Sequence, residues 1–418
     1  MIIQNNKNTT ALVLKWILIC TLIGIFTGSA SAFFLVALEL ATKYREDNNW
    51  IIWLLPIGGL VIGLSYHYWG KSVVKGNNLL LEEYENPQKI IPLKMAPLVL
   101  FGTLFTHLFG GSAGREGTAV QMGGAIADQF TRIFKLDNSE RKTIIILGIS
   151  AGFASIFGTP LAGAIFALEL VIFSKISYKS IPLSFITAYI AYFTVEIWQV
   201  EHTAYSIPFV PEFTTTTLFW IINVSILFGL AAMLFSRSTH MWGTLFSKTI
   251  AYPPLRPFVG GIILAIAFYY IGTTKFAGLG VPIIVDAFST ANAPYDFLLK
   301  IVFTGFTLGA GFKGGEVTPL FFVGATLGSA LSLIVPLPIA FLAGLGFVAV
   351  FSGATHTPIA CTVMGMELFG IESGFFIAIA CTVAYFASGS MGIYKTQIVR
   401  GPKYHLYEKF KRKGTDLL

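Results

Sequence analysis

The chain has 418 residues, of which 55% are hydrophobic and only 12% charged, and its mean hydropathy is +0.73; this is the composition of an integral membrane protein. Much of the net charge of +7 sits in one C-terminal stretch, where Lys395, Arg400, Lys403, Lys409, Lys411, Arg412 and Lys413 face only Glu408 and Asp416. Without aromatic interleaving or a folded domain around it, that stretch reads as a juxtamembrane tail and excludes nucleic acid as a partner.

In chain order, the first apolar run, 11–38, exceeds the roughly 20 residues that cross hydrocarbon. It has Lys15 near its start and Glu39 just beyond its end, and it is too long for a cleavable signal, so a retained helix is expected. Runs at 51–69, 217–235 and 255–272 are also long enough to span. Those at 142–157, 160–174, 318–334 and 358–371 are shorter and interrupted by Gly or Pro. Broken membrane helices are tolerated where their backbone faces protein or a polar cavity. Cys20, Cys361 and Cys381 lie inside apolar runs without metal-ligand spacing and read as packing residues. The basic tail places the C-terminus in the cytoplasm, and the N-terminus is expected on the same side. No segment is long enough to fold as a separate soluble domain. The expectation is one all-α polytopic transmembrane domain over 1–418, with halves 11–205 and 215–395 and a basic cytoplasmic tail 396–418.

The halves are related. Shifting the chain by 200 residues places Leu108, Gly111, Gly114, Glu116, Thr118, Gly124 and Ala125 on Leu308, Gly311, Gly314, Glu316, Thr318, Gly324 and Ala325; chance supplies about two identities in such a window. A second block, offset by 198, pairs Gly148, Ala151, Phe153, Thr159, Pro160, Ala162, Glu169 and Leu170 with Gly346, Ala349, Phe351, Thr357, Pro358, Ala360, Glu367 and Leu368. With an odd number of spans in each half, the halves would be inverted in the membrane, as in many transporters whose substrate binds between repeats.

"GSAGREGTAV" and "FKGGEVTPL" each place glycines, a glutamate and a threonine before an apolar helix, with Pro319 suited to a first helical turn. Such a helix start offers unpaired N–H groups and partial positive charge to an anion, and glycine lets the ion approach the backbone. An ionised Glu116 or Glu316 would compete for that site and leave on protonation, which couples protons to anions. Capping is the simpler role of such glutamates, but a duplicated carboxylate at membrane depth favours function.

Together with "GLGVP" at 278–282 and Tyr394 in "GSMGIYKTQ", these motifs resemble the CLC family of chloride channels and chloride/proton antiporters over residues 10–400. The resemblance implies a homodimer with one anion pathway per subunit, and the CLC fold: two inverted-topology repeats of tilted and broken helices. Chloride members carry a Gly-Ser-Gly-x-Pro loop whose serine contacts the anion; here "KGNNLL" at 75–80 puts Asn77 in its place. Thr118 stands where they usually have proline, and Glu316, Val317 and Thr318 replace an apolar pair and a small residue. These departures resemble the fluoride-transporting subgroup, which exports fluoride in exchange for protons.

The resemblance thus implies a secondary active transporter of the cell membrane, with no enzyme activity, no cofactor and no metal. Fluoride, protons, the lipid bilayer and a second copy are its partners. Glu116 is the implied gating glutamate and Glu316 a second carboxylate on the proton route. Asn77, Thr318 and Tyr394 would supply compact donors to fluoride, with backbone N–H groups around Arg115, Gly117, Val317 and Thr318. Asn78 could exchange roles with Asn77. Glu201, in "WQVEHTAY", is expected in a loop. Glu169 and Glu367, each nine residues beyond a paired proline, are expected to partner helix ends or the dimer interface, and His107 and His356 to be hydrogen-bonded structure. Two other functions compete: a CLC chloride antiporter or passive channel, better served by serine at position 77, and an intramembrane hydrolase built on a carboxylate pair, for which no HExxH or GxSxG motif is present.

Overall fold

A chain this apolar must satisfy its backbone polar groups within segments, which restricts it to helices or a closed barrel. The computed structural model describes residues 2–171, 178–397, 403 and 407, and among these there are sixteen α-helices and no strand. The first half comprises α1 (Ile2–Asp47), α2 (Leu55–Tyr68), α3 (Asn77–Glu85), α4 (Met95–Leu108), α5 (Glu116–Ile133), α6 (Asn138–Phe157), α7 (Pro160–Leu170) and α8 (Ser180–Ile197). The second comprises α9 (Thr215–Thr249), α10 (Leu255–Ile271), α11 (Val281–Asp286), α12 (Asp296–Gly309), α13 (Val317–Leu331), α14 (Ile339–Thr355), α15 (Pro358–Phe369) and α16 (Gly374–Ala387).

Thr10–Asp47, Asn49–Tyr68, Ser180–Ile197 and Thr215–Thr249 are long and apolar enough to cross a membrane. Helix α1 continues past the apolar run that ends at 38, because 39–47 is rich in good helix formers and Arg45 is buried, donating to the His107 carbonyl at 3.2 Å. Hydropathy therefore marks the lipid-crossing part of this helix rather than its end. Large apolar side chains stay exposed along α1 and α9, among them Leu14, Phe26, Phe33, Phe219 and Leu234, as expected where lipid is the solvent.

The same packing recurs in each half. Helices α5 and α6 pack as α13 and α14 do, α1 and α8 as α9 and α16, and α6 and α7 as α14 and α15. Three further contacts, α2 with α10, α7 with α15 and α5 with α13, join an element to its own counterpart. A two-fold axis along the membrane normal makes such self-pairs parallel, whereas an axis in the membrane plane makes them antiparallel. Gly59 abuts Pro257 and Gly63 abuts Pro254, so α2 and α10 run antiparallel. Helices α7 and α15 do the same: the Glu169 carboxylate accepts from Ile359 N at 3.0 Å and Ala360 N at 2.7 Å, while Glu367 accepts from Leu161 N at 2.9 Å and Ala162 N at 2.7 Å. Each glutamate, late in its own helix, caps the start of the other. The repeats are inverted.

Lys403, counted among the tail cations, is buried, with Nζ 2.8 Å from His356 Nδ1 and donating to Ser388 Oγ at 2.9 Å. The chain packs back onto the second half at that point. Arg400, Lys409, Lys411, Arg412 and Lys413 lie outside the described residues.

Candidate anion site

The two glutamate loops meet between the repeats. Gly114 N donates to Gly315 O at 2.6 Å and Gly315 N donates to Gly114 O at 2.7 Å, a two-residue antiparallel bridge. His107 supports it, with Nε2 3.4 Å from the Gly114 carbonyl. The clamp fixes where α5 and α13 begin. Glu116 is the first residue of α5, and Glu316 immediately precedes α13, whose third residue is Pro319.

The carboxylate of Glu116 crosses to the other repeat. Its Oε2 accepts from Thr318 N at 3.0 Å and from Arg115 N at 3.1 Å, and its Oε1 accepts from the Thr318 hydroxyl. The residue is 1% exposed. Arg115 gives it a loose ion pair, Nε to Oε1 at 3.8 Å, and this Nε has no hydrogen-bond partner among the described residues. A buried carboxylate thus sits at the first turn of a helix from the opposite repeat, held by the N–H and O–H donors that a small anion would use.

Glu316 lies on the reciprocal side. A methyl group placed on Gly117 would be 3.0 Å from Asn77 Nδ2, 3.1 Å from Gly315 Cα and 3.9 Å from Glu316 Oε2. Asn77, Gly117 and Glu316 therefore surround one small space at the start of α5, where any side chain at 117 would press on Asn77 and Gly315. Gly76 delivers Asn77 to this space from a left-handed conformation, φ +58°, that residues with a Cβ rarely adopt. Asn77 Oδ1 is buried without a hydrogen-bond partner among the described residues. Val317 is buried beside Thr318, and Tyr394, also buried, lies within electrostatic range of both Glu316 and Glu116.

The pairs of like residues divide clearly. Asn78 turns away, its Oδ1 accepting from Thr396 N at 3.1 Å and Thr396 Oγ1 at 3.0 Å, which ties α3 to the segment that carries Tyr394. Thr118 turns away too: its hydroxyl is 2.7 Å from that of Thr103 on α4. Asn77 and Thr318 are left facing the glutamates. Sequence reading had no means to find Thr103 or Thr396, since neither recurs in the repeat pattern. Glu201 is exposed and lines a surface cavity of about 540 Å³ with Glu196, Gln199 and His202.

Comparison with known proteins agrees with this architecture. A family model described as voltage gated chloride channel matches residues 58–389. A chloride/fluoride channel protein of Pseudomonas syringae pv. tomato is 49% identical over 397 residues, covering 94% of this chain and 88% of the relative. The crystal structure of a CLC-type fluoride/proton antiporter superposes with a TM-score of 0.89 at 34% identity, covering 92% of this chain and 98% of that one. A slow cyanobacterial chloride/proton antiporter shares the fold at 19% identity, with a TM-score of 0.78 over 96% of this chain and 99% of its own. Paired glutamate loops between inverted repeats, a family model spanning most of the chain and a relative of this identity lead to one conclusion: the protein is a member of the CLC family.

Proposed function

We propose that the chain is a fluoride/proton antiporter of the cell membrane, exporting fluoride against proton entry, with Glu116 as its gating carboxylate. The observation that carries this reading is the position of Glu116, buried with its carboxyl oxygens accepting from Thr318 N and the Thr318 hydroxyl. A carboxylate there competes with a permeating anion for the same donors. Protonation removes its charge and its claim on them, so the anion's arrival goes with protonation of Glu116 and the proton's departure with return of the carboxylate. Glu316, beside Asn77 at the start of the other helix, can take part in passing that proton, because two carboxylates and an anion cannot share so small a space while all are charged. Asn77, Thr318 and Tyr394 carry compact donors suited to a small, strongly hydrated ion.

The Pseudomonas relative is called a channel for both halides, and that favours passive conduction as a second reading. Homodimer assembly, with both termini in the cytoplasm, belongs to the proposal. Phe193 and Ile197 on α8 and Phe375 on α16 are exposed and so open to a second copy as well as to lipid.

Liposomes loaded with fluoride and followed by fluoride and pH electrodes test this reading. Antiport predicts that the external medium turns alkaline in step with fluoride loss, that chloride moves far more slowly, and that proton movement vanishes in Glu116→Gln. Fluoride loss without a pH change would point to a channel, and faster chloride loss would contradict fluoride as the substrate.

A further inference from the structure

Lys313 sits three residues before Glu316, beyond the two glycines of the loop. Its place is built: the Cβ and Cγ lie where a methyl on Gly102 would come within 2.9 Å, and the ammonium stands 4.1 Å from the centre of the Tyr66 ring. Among the described residues it makes no ion pair. An ammonium against an aromatic face is attracted by the ring quadrupole, and Lys313 is half-buried, so without a carboxylate partner its field is not cancelled locally. Tyr66 lies near the end of α2, on the face to which the chain returns after α1 crosses and α2 comes back, which is also where Asn78 meets Thr396 of the C-terminal segment.

We infer that Lys313, held by Tyr66 and the gap at Gly102, is the electrostatic recruiter for fluoride on the membrane face shared by the two ends of the chain. It acts on the concentration of anion reaching the glutamate loops, as a positioning residue, and takes no part in proton transfer. This inference rests on the transport reading above. Its test runs on whichever halide the unaltered protein carries, so failure of proton coupling would overturn that reading and leave this one standing.

The test is the initial transport rate in liposomes against halide concentration, at several ionic strengths set with an impermeant organic salt. Lys313→Met is expected to raise the apparent KM about three- to tenfold, the effect of one charge acting across a partly screened path, with the maximal rate and the proton-to-anion ratio unchanged. Lys313→Arg should restore the KM. Added salt should raise the KM of the unaltered protein and leave that of Lys313→Met where it is. A lowered maximal rate with an unchanged KM would show a packing role and overturn the inference. So would a KM of the unaltered protein that ignores ionic strength, a result obtainable even where Lys313→Met fails to assemble.

Discussion

Glu116 and Glu316 occupy equivalent positions of the two repeats, yet their partners differ. Glu116 holds the Thr318 backbone and hydroxyl; Glu316 borders Asn77 and Gly117 and is partly exposed. The difference comes from their neighbours, since Thr318 faces the site and Thr118 is turned to Thr103. If Glu316 relays the proton, Glu316→Gln should slow proton movement by about a hundredfold, the lower end of what a positioned proton-transfer group supplies, as measured by pH change in fluoride-loaded liposomes. Unaltered proton coupling in that variant would remove Glu316 from the route. The duplicated glutamates, glycines and threonines were legible in the sequence because repetition exposed them. Which of Asn77 and Asn78 faces the glutamates was not: adjacent helical residues point about 100° apart, and the partner that turns Asn78 away, Thr396, lies 318 residues from it.

At the scale of elements, the contacts that fix the site are cross-repeat contacts. The Gly114–Gly315 bridge sets where α5 and α13 start, and the reciprocal caps of Glu169 and Glu367 pin α7 and α15 together. The even spacing of these glutamates from Pro160 and Pro358 told of helix-end partnering, but which end of which helix depends on the inversion, which no local pattern encodes. A carboxylate accepting two N–H bonds at a helix start combines a cap with a favourable dipole contact. Glu367→Gln is therefore expected to cost about 1 kcal/mol, read as a lower apparent melting temperature in detergent with the proton-to-fluoride ratio intact. A changed ratio with unchanged melting would mean that Glu367 serves transport rather than packing. Helix bounds are less legible than helix existence: α1 outruns its apolar core through helix formers up to the buried Arg45, and α9 through packing of Trp242 and Phe246 on Phe306.

For the whole molecule, inversion does the functional work. An in-plane two-fold axis brings two helix starts toward each other from opposite halves, and the carboxylate of one half then sits on the donors of the other. On the proposed reading the anion and the Glu116 carboxylate compete for one place and the proton decides between them, which is what exchange requires and what a continuous pore lacks. The most direct test is movement of fluoride against no gradient of its own. Liposomes holding equal fluoride inside and out, clamped at zero voltage with potassium and valinomycin, are given an acidic exterior, and the leak of protein-free liposomes is subtracted. Antiport predicts net fluoride loss from the interior, driven by inward protons and abolished in Glu116→Gln. Fluoride that stays level while the proton gradient decays, or moves equally in Glu116→Gln, would contradict coupled exchange at this site.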